Sequence, residues 1–374
     1  MNPSKQIKAT PAAGLIEALI EEILLRLPPD DPASLVRAAL VCKSWCRVVG
    51  DRGFRRRFGE FHRNPPVLGL LCNYDGKDLF RVDKSRVIPT ASSSPHARVV
   101  HRNHRAVDAR HGRVLLRRMI WDEDDLLDGV FVVWDPVTHK EQQLPALPRY
   151  PDSWNAAVLC AGTPSGNCDH LDCRQGPFLV VVVGTEAGDM FVDIYSSESG
   201  AWSEQRIRHR SEPADWSWPC VLVGNALYFM LQQRISILKY NLRTQEVSVI
   251  DLPSVSYNPD VLTTTEDGRL GFATVHKSRL YLWSREDYGP ADNAGWVESR
   301  VIQLRNLLPS DALSWSPIAV GFAAGVSIVF MRTDVGVFSI DLKSLRVRKI
   351  RKGGGQNIVP YMSFYTPGTA LPVF

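Results

Sequence analysis

The sequence lacks the patterns that would place the chain in a membrane or on a secretory route. Its longest apolar stretches, Phe178–Val183 and Ala319–Phe330, are shorter than the roughly 20 residues that a membrane-spanning helix needs. Glu17 interrupts the apolar positions that follow Ala12, which the hydrophobic region of a signal peptide does not tolerate. No Asn-x-Ser/Thr glycosylation site with a permitted middle residue occurs. With an odd count of seven cysteines, we expect an intracellular protein, cytoplasmic or nuclear, with reduced thiols and no membrane partner.

The sequence also lacks the short motifs that carry catalysis: a nucleophile elbow, a zincin helix, a dinucleotide fingerprint or a P-loop. The run Gly353–Gly355 lacks P-loop spacing and predicts a turn. The net charge of +4 does not by itself indicate a nucleic-acid partner. Seven arginines between Arg98 and Arg118 precede the acidic run Asp122–Asp125, but no nucleic-acid module accompanies them. We therefore predict two solvated patches of opposite charge, no catalysis, no cofactor and no nucleic-acid partner.

Turn-forming residues are abundant instead. The 374 residues include 26 glycines and 25 prolines, which favour many short strands and turns over long helices. A chain of this length predicts about two domains. The pattern changes near residue 60. Residues 1–14 are predicted to be a flexible tail, residues 15–60 a helical module, and residues 61–374 a β domain.

The helical module begins with an amphipathic pattern. Within Leu15–Leu27, apolar residues recur at i, i+3, i+4 and i+7, and glutamates fall between them. Pro28-Pro29 ends this helix. Asp31-Pro32 predicts the N-cap and first turn of a second helix, and a third segment runs from Trp45 to Phe58. Three short helices form too small a core for much stability, so we expect a partner or a neighbouring domain to complete it.

These residues resemble the F-box motif. The match covers about residues 15–58 and combines Leu27-Pro28, Asp31-Pro32 and Val41-Cys42-Lys43-x-Trp45 at the family's spacing. The family commonly has Leu-Pro where this chain has Leu15-Ile16. We expect this departure to soften the start of the first helix and to weaken docking.

The resemblance implies docking onto the Skp-family adaptor of a cullin-RING ubiquitin ligase. An apolar helix face with leucine and tryptophan anchors suits a helix-in-groove interface. The candidate adaptor contacts are Leu15, Leu19, Ile23, Leu24, Leu27, Pro28, Val41, Cys42 and Trp45. They could instead form only the module's own core, an alternative that applies most to Leu24 and to Leu40.

Beyond Asn64 the pattern changes to short β-rich runs. Several are followed by an Asp- or Asn-led turn and a more polar run, as in Phe131–Thr138 and Val337–Ser344. A second marker, serine followed by an aromatic residue, recurs at intervals of 64, 39, 58 and 49 residues, each about one four-stranded blade. We predict a β-propeller of about six blades, closed by residues 361–374 pairing onto residues 65–90. A pair of two-sheet sandwiches is the competing fold.

The β region is similar to the kelch-like associated domains of plant F-box proteins. Its most recognisable element is Val133-Trp134-Asp135-Pro136-x-Thr138, followed by Leu144-Pro145. The two resemblances together imply a substrate-recognition subunit of an SCF-type (Skp-cullin-F-box) ligase. The helices would dock to the adaptor and, through it, to the cullin and RING subunits, while the propeller holds a target protein. The alternative is a propeller enzyme or a glycan-binding protein whose N-terminal helices serve another assembly.

Five aromatic residues are candidates for the target-binding face. Each follows one of the repeated serines, and each would lie near the central channel if the marker precedes the innermost strand of a blade. They are Trp154, Trp218, Tyr257, Trp315 and Phe364. Aromatic side chains offer a large contact area at low entropic cost. They could instead wedge between blades as core, so this prediction requires that they share one face and reach solvent.

Cys160, Cys168, His170 and Cys173 supply three thiolates and an imidazole, a permissible tetrahedral zinc set. Their spacing fits no standard zinc knuckle, and Cys160 belongs to an apolar run. The sequence therefore favours a long surface insertion with incidental cysteines and no metal. Metal analysis of the purified protein distinguishes the two interpretations.

Overall fold

The computed structural model shows a helical N-terminal module followed by a six-bladed β-propeller. The structure describes residues 11–74, 84–90, 100–118, 130–207, 213–214, 218–253, 260–286, 295–351 and 357–367. The helices of the module are α1 (Pro11–Leu25), α2 (Pro32–Ala39), α3 (Lys43–Gly50) and α4 (Arg52–His62). The predicted fold class, a small all-α module followed by an all-β propeller, is confirmed.

The third predicted helix is in fact two helices, α3 and α4. Asp51 lies between them in extended conformation, and its carboxylate accepts a hydrogen bond of 3.0 Å from the Phe54 N–H, which caps α4. Pro32 occupies the first turn of α2, as predicted. The Asp31 carboxylate at its N-cap accepts from the Ser34 hydroxyl at 2.6 Å and makes no cap bond to a backbone amide. The helix borders therefore depend on short-range side-chain bonds that periodicity does not reveal.

The module has a small core that the other end of the chain completes. The buried side chains are Leu24, Leu25, Leu35, Ala38, Ala39, Val49, Phe54 and Phe58. Phe364 packs against this cluster from beyond the last strand. The expectation that a neighbouring domain completes the core agrees with this contact.

Six four-stranded antiparallel sheets form the blades. The first blade contains β1 (Val67–Tyr74), β2 (Lys84–Pro89), β3 (Val100–Arg102) and the last strand of the chain, β24 (Ile358–Met362). The second contains β4 (His104–Arg110), β5 (Arg113–Arg118), β6 (Phe131–Trp134) and β7 (Glu141–Gln143), and the third β8 (Ser153–Cys160), β9 (Phe178–Glu186), β10 (Asp189–Ser196) and β11 (Ala201–Ile207).

The remaining three blades have the same order of strands. The fourth contains β12 (Val221–Val223), β13 (Ala226–Met230), β14 (Ser236–Asn241) and β15 (Val247–Asp251), and the fifth β16 (Val261–Thr264), β17 (Leu270–His276), β18 (Arg279–Arg285) and β19 (Trp296–Gln303). The sixth contains β20 (Ile318–Ala323), β21 (Ile328–Thr333), β22 (Gly336–Asp341) and β23 (Val347–Arg351), and 3₁₀ turns at Leu304–Asn306 and Ser310–Leu313 precede it. Six separate sheets exclude the pair of two-sheet sandwiches.

The innermost strands form a closed ring. Strands β24, β4, β8, β12, β16 and β20 each lie next to the following one, and β20 returns to β24. The ring closes where β24 pairs antiparallel with β1, from Val67 opposite Met362 to Cys72 opposite Ile358. The C-terminal region therefore closes the propeller onto residues near 65–90, as predicted, but the closing strand begins at Ile358, earlier than expected.

Burial within a blade falls from the channel outward. Every residue of β8 is buried, whereas every residue of the outer strand β7 is exposed. Blades converge at the channel, so innermost strands carry small residues such as Ala156 and Ala157. No residue larger than glycine fits at Gly321 of β20, because a Cβ there would lie 2.5 Å from the carbonyl oxygen of Ile358.

The predicted Asp- or Asn-led turns join the third and fourth strands of three blades. Asp135, Asn241 and Asp341 each accept hydrogen bonds from the amides two and three residues later, at 2.8–3.3 Å. The residue that follows each turn has positive φ: His139, Gln245 and Leu345 at 57°, 58° and 57°. The side-chain bonds hold the left-handed step that L residues otherwise avoid.

Buried polar side chains tie neighbouring blades together near the channel. Asn73 of β1 accepts a 2.9 Å hydrogen bond from Ala106 N and donates to Ala106 O at 2.8 Å and to Asn357 Oδ1 at 2.7 Å. Its side chain joins the closing blade to the second blade. Since both partners on Ala106 are backbone groups, Asn73 replaces the ladder bonds that two sheets cannot make with each other.

Three other buried side chains also bond to backbone groups of the next blade. Asp108 of β4 accepts from Val158 N of β8 at 2.9 Å, and Asn155 of β8 donates to Trp218 O at 2.9 Å. Asp260, next to β16, accepts from Ala319 N of β20 at 3.3 Å and from Val275 N at 2.9 Å. Burial raises the pKa of the Asp260 carboxyl to about 6, and these amide bonds oppose that rise.

We predict that Asn73→Ala destabilises the propeller by about 2–4 kcal/mol, because it leaves buried groups of Ala106 and Asn357 without their partners. Asn306→Ala, at an exposed position, is the matched control and should change the free energy of unfolding by less than about 0.5 kcal/mol. Chemical denaturation of the full chain measures both. Equal stability of the two variants would contradict the tie at Asn73.

Candidate functional site

The helical module packs on the face of the propeller where the innermost strands end. The Phe364 ring, just beyond β24, meets the Phe58 ring edge-on at a centroid distance of 6.0 Å. Leu171, from the loop after β8, lies so close to Gly59 that a Cβ on this glycine would be 3.2 Å from the leucine side chain. Asn64 lies beside the loop after β20. We call this surface of the propeller the helix-side face.

Loop 161–177, between β8 and β9, makes the charged contacts to α4. The Asp172 carboxylate lies 3.3 Å from Arg52 Nε and 3.7 Å from Arg55 Nε, and the Asp169 carboxylate lies 2.6 Å from Arg56 Nη2. The Leu171 amide and then the Arg56 guanidinium lower the pKa of Asp169. Partly exposed ion pairs contribute little stability each, so their main effect is to orient α4 on the loop.

A cavity of about 400 Å³ lies between the module and the channel. Arg55 and Arg63 line it from the module, and Arg110, His111 and His170 from the propeller. Burial lowers the pKa of His111 to about 3, with smaller contributions from His170, Arg110 and Arg113, so its ring is neutral at physiological pH.

Asp108, the buried one of the three aspartates that line this cavity, already has partners. The Asp108 carboxylate pairs with Arg110 and accepts the Val158 amide, and Arg110 also donates to Cys220 O at 2.5 Å. Burial raises the pKa of Asp108, and the guanidinium of Arg110 opposes that rise. The arrangement is that of a structural ion pair.

The predicted adaptor contacts divide into an exposed and a buried group. Leu19, Ile23 and Val41 are 57%, 61% and 63% exposed, and Pro28 and Cys42 are exposed as well. Leu19 and Ile23 are one turn apart on α1, and the propeller does not cover them. Apolar side chains of this size in water are typical of an interaction surface.

The buried group belongs to the module's own core. Leu24 is 1% exposed, and Leu27 and Trp45 are half-buried against the core cluster. The side chain of Leu15 lies outside the described residues. Leu40, for which a core position was the alternative, is 57% exposed instead and extends the exposed apolar set next to Val41.

The structure does not bring the aromatic candidates together in the predicted solvent-facing ring. Trp154 is buried against Phe131 and beneath the Arg117 guanidinium, and Trp218 is buried beneath Arg234. These two pack as core, which corrects the expectation. Phe364 lies on the helix-side face against Phe58.

Trp315 fits the prediction best and Tyr257 lies outside the described residues. Trp315 is 78% exposed in the segment that leads into β20, on the face opposite the helices. Sequence patterns missed Tyr150, 81% exposed before β8, and Ile235, 54% exposed between β13 and β14. Their loops lie at the start side of the innermost strands, as does that of Trp315, and no serine-aromatic marker indicates them. We call Tyr150, Ile235 and Trp315 the distal apolar set.

The structure gathers the four metal-ligand candidates. The sulfurs of Cys160, Cys168 and Cys173 and a ring nitrogen of His170 all lie within 4.8 Å of one another. The expectation of incidental cysteines, based on irregular spacing, does not agree with this convergence. All seven cysteines are free thiols in the structure.

Comparison with known proteins gives the family. A family model described as "F-box protein AT5G49610-like, beta-propeller" matches residues 105–368, and an F-box domain model matches residues 14–57. The chain belongs to the AT5G49610-like F-box β-propeller family. The propeller match covers five of the blades and β24, and the other three strands of the first blade, β1–β3, lie between the two matches.

Two relatives of this F-box β-propeller protein match it over most of both lengths. The F-box protein At5g03970 of Arabidopsis thaliana is 22% identical over 94% of this chain and 88% of its own. The putative F-box/kelch-repeat protein At1g15680 of Arabidopsis thaliana is 26% identical over 96% and 93%. A solved structure of a protein of unknown function from Desulfotomaculum acetoxidans aligns at a TM-score of 0.45 and 10% identity, covering 79% of this chain and 89% of that one. In the described part of the chain, every helix is too short or too polar to cross a membrane.

We predict that Phe364→Ala loosens the module on the propeller, because it removes the ring that covers Phe58. The cost should be about 1–3 kcal/mol of stability, with faster amide hydrogen exchange in α4. Phe61→Ala, on the same helix and 51% exposed, is the control. Exchange in α4 that rises equally in both variants would contradict a packing role for Phe364.

Proposed function

We propose that this protein is the substrate-recognition subunit of an SCF-type ubiquitin ligase. The F-box helices bind a Skp-family adaptor and, through it, the cullin and RING subunits, while the propeller holds a target protein. The observation that carries this proposal is the exposure of Leu19, Ile23 and Val41 within the F-box match. The relatives described as F-box proteins support the same role.

The physical case rests on where the apolar residues lie. A four-helix module of about 50 residues has a small core. Leu19 and Ile23 are exposed, so their apolar side chains do not contribute to that core. A partner groove that buries them gains roughly 1.5–3 kcal/mol for each fully covered side chain. The propeller contacts α4 and leaves these positions open.

The departure at Ile16 has a structural counterpart. Helix α1 begins at Pro11, so position 16 lies inside the helix rather than at its start. A proline there would remove an intrahelical hydrogen bond, whereas isoleucine lets the helix extend towards Pro11. The expectation that Ile16 softens the start of the first helix therefore does not agree with α1, while a weakening of docking stays a prediction.

The protein needs no catalytic residue for this role. The ligase's other subunits supply the transfer chemistry, and this subunit raises the effective concentration of the target at that site. We place it in the cytoplasm or the nucleus, where such a ligase acts. The competing role, a propeller enzyme or glycan-binding protein, requires that its partner-binding helices serve another assembly.

We predict that Ile23→Asp abolishes co-purification of a Skp-family adaptor, with at least a tenfold loss, because a charge replaces an apolar anchor in a buried interface. Val41→Asp should act in the same direction. Both residues are exposed in the free chain, so folding is preserved, whereas Leu27→Asp would also disturb the module's core.

The matched control is Ile235→Asp, an equally exposed apolar residue on the opposite face. It should retain the adaptor. If both Ile23→Asp and Val41→Asp bind the adaptor as the wild type does, the ligase proposal is contradicted and the enzyme or glycan-binding alternative is favoured.

The distal apolar set is the proposed target-binding surface. Tyr150, Ile235 and Trp315 lie on loops at the face away from the helices, and tyrosine and tryptophan are preferred anchors of protein interfaces. This placement separates target capture from adaptor docking by the thickness of the propeller. It also leaves room for both partners at once.

We predict that Trp315→Ala weakens target capture at least tenfold while adaptor binding stays unchanged. Proximity labelling with the wild-type chain, compared with Trp315→Ala and with Val301→Ala on the outer strand β19, identifies proteins that depend on the tryptophan. A target qualifies if its abundance rises when the chain is removed. Identical labelling by all three chains would count against this surface.

A further inference from the structure

Loop 161–177 leaves β8 at Cys160 and returns at β9. Cys160 is buried and fixed by the strand, while Cys168, His170 and Cys173 come from the loop itself. Positive φ at Gly166 (69°) and His170 (59°) turns the backbone inward. The loop therefore folds its three potential ligands back onto the end of the innermost strand.

The separations suit tetrahedral coordination. His170 Nδ1 lies 3.6 Å from Cys173 Sγ, and all four ligand atoms lie within 4.8 Å of one another. Bonds of 2.0–2.3 Å around zinc place ligand atoms about 3.3–3.8 Å apart, so small side-chain rotations complete the set. The His170 amide donates to Cys168 Sγ at 3.4 Å, a bond that stabilises a thiolate.

The charges around the cluster also fit a metal–thiolate group. Three thiolates and one Zn²⁺ have a net charge of −1. The Arg113 guanidinium, 4% exposed, donates to Cys173 O at 2.9 Å and to Gly176 O, and within the described ranges no carboxylate lies in ion-pair range of it. Its Nη1 is buried with no hydrogen-bond partner in that same part of the chain. An anionic cluster beside this buried cation would offset its charge, together with the longer-range attraction of Asp135.

We propose that Cys160, Cys168, His170 and Cys173 bind one structural zinc ion. All four positions are filled by protein ligands, which leaves no open site for catalysis, and soft thiolates with one imidazole favour zinc over hard cations. A disulfide between two of the cysteines is the competing state, and it would leave His170 without a role.

The zinc ion stiffens the contact between the propeller and the F-box. Asp169 and Asp172, which pair with the arginines of α4, and Leu171, which packs on Gly59, all lie within the metal-bound segment. A closed loop loses less conformational freedom when it meets α4. The metal site stands on its own geometry, while its effect on ligase orientation rests on the proposed function.

Metal content is the direct test. The purified full-length chain, prepared without chelators, should contain about one zinc per chain by mass spectrometry. Cys168→Ser and Cys173→Ser should lower the zinc content at least tenfold. His170→Cys, which keeps four possible ligands, should retain the zinc. Cys46→Ser, outside the cluster, is the control. Zinc content that is negligible in the wild type, or equal in the wild type and Cys168→Ser, overturns the proposal.

Cobalt substitution tests the ligand set without a variant that could misfold. Co²⁺ added to the metal-free wild-type chain should give thiolate-to-cobalt charge-transfer bands and the intense visible bands of a tetrahedral site. Cys46→Ser should give the same spectrum. Absence of charge-transfer bands, or thiols that resist alkylation until reduced, assigns a disulfide or unligated cysteines and overturns the site.

Hydrogen exchange tests the coupling to the F-box. Removal of zinc with a chelator should raise exchange at least several-fold in α4 and in loop 161–177, but not in the outer strand β15. Unchanged exchange in α4 overturns the coupling. Adaptor binding is measured separately with Ile23→Asp, so failure of the ligase proposal and failure of the zinc site give different results.

Discussion

The pairing of β24 with β1 is the constraint on which the rest of the structure depends. Until the two ends of the propeller meet, the first blade lacks its innermost strand, and the inner edge of β1 is open to pairing with another chain. Val67–Tyr74 and Ile358–Met362 cover that edge by pairing with each other. The same pairing brings the two ends of the propeller together, since β1 follows α4 by four residues and β24 leads into Phe364. Closure of the ring therefore also completes the core of the helical module through the contact of Phe364 with Phe58.

Closure alone does not make the ring stiff, because each hydrogen-bond ladder of the described strands lies within a single blade. The buried side chains of Asn73, Asp108, Asn155 and Asp260 supply bonds between blades near the channel, each to a backbone group of the next blade. Carboxylates in these positions carry a desolvation cost, which appears as the raised pKa of Asp108 and Asp260. The small residues at the channel let the strands approach closely enough for these bonds to form.

Features with a local cause could be predicted from the sequence, and features with a distant cause could not. The apolar period of α1, the Pro32 helix start and the Asp- or Asn-led turns depend on residues a few positions apart. The serine-aromatic marker lies at the first two residues of β8 but in the bend before β20, so the buried Trp154 belongs to a strand and the exposed Trp315 does not, a difference that the marker alone did not reveal. The Cys/His cluster was missed because Cys160 belongs to a strand and knuckle spacing rules assume that all ligands come from one local turn.

The junction between the helical module and the propeller determines how the two parts of the protein are oriented relative to each other. Strand β8 has eight residues and spans about 26 Å, since each residue of a strand advances roughly 3.3 Å. Its two ends lie at opposite faces of the propeller. The loop with Tyr150 precedes its first residue, and the loop that contacts α4 follows its last residue. In the proposed ligase role, the orientation of a bound target relative to the helical module depends on residues 63–66 and loop 161–177, which lie between the two parts of the protein. The proposed zinc site lies in that loop, so metal binding there would act directly on the orientation of the module, whereas substitutions in the distal apolar set would act on the proposed target surface alone.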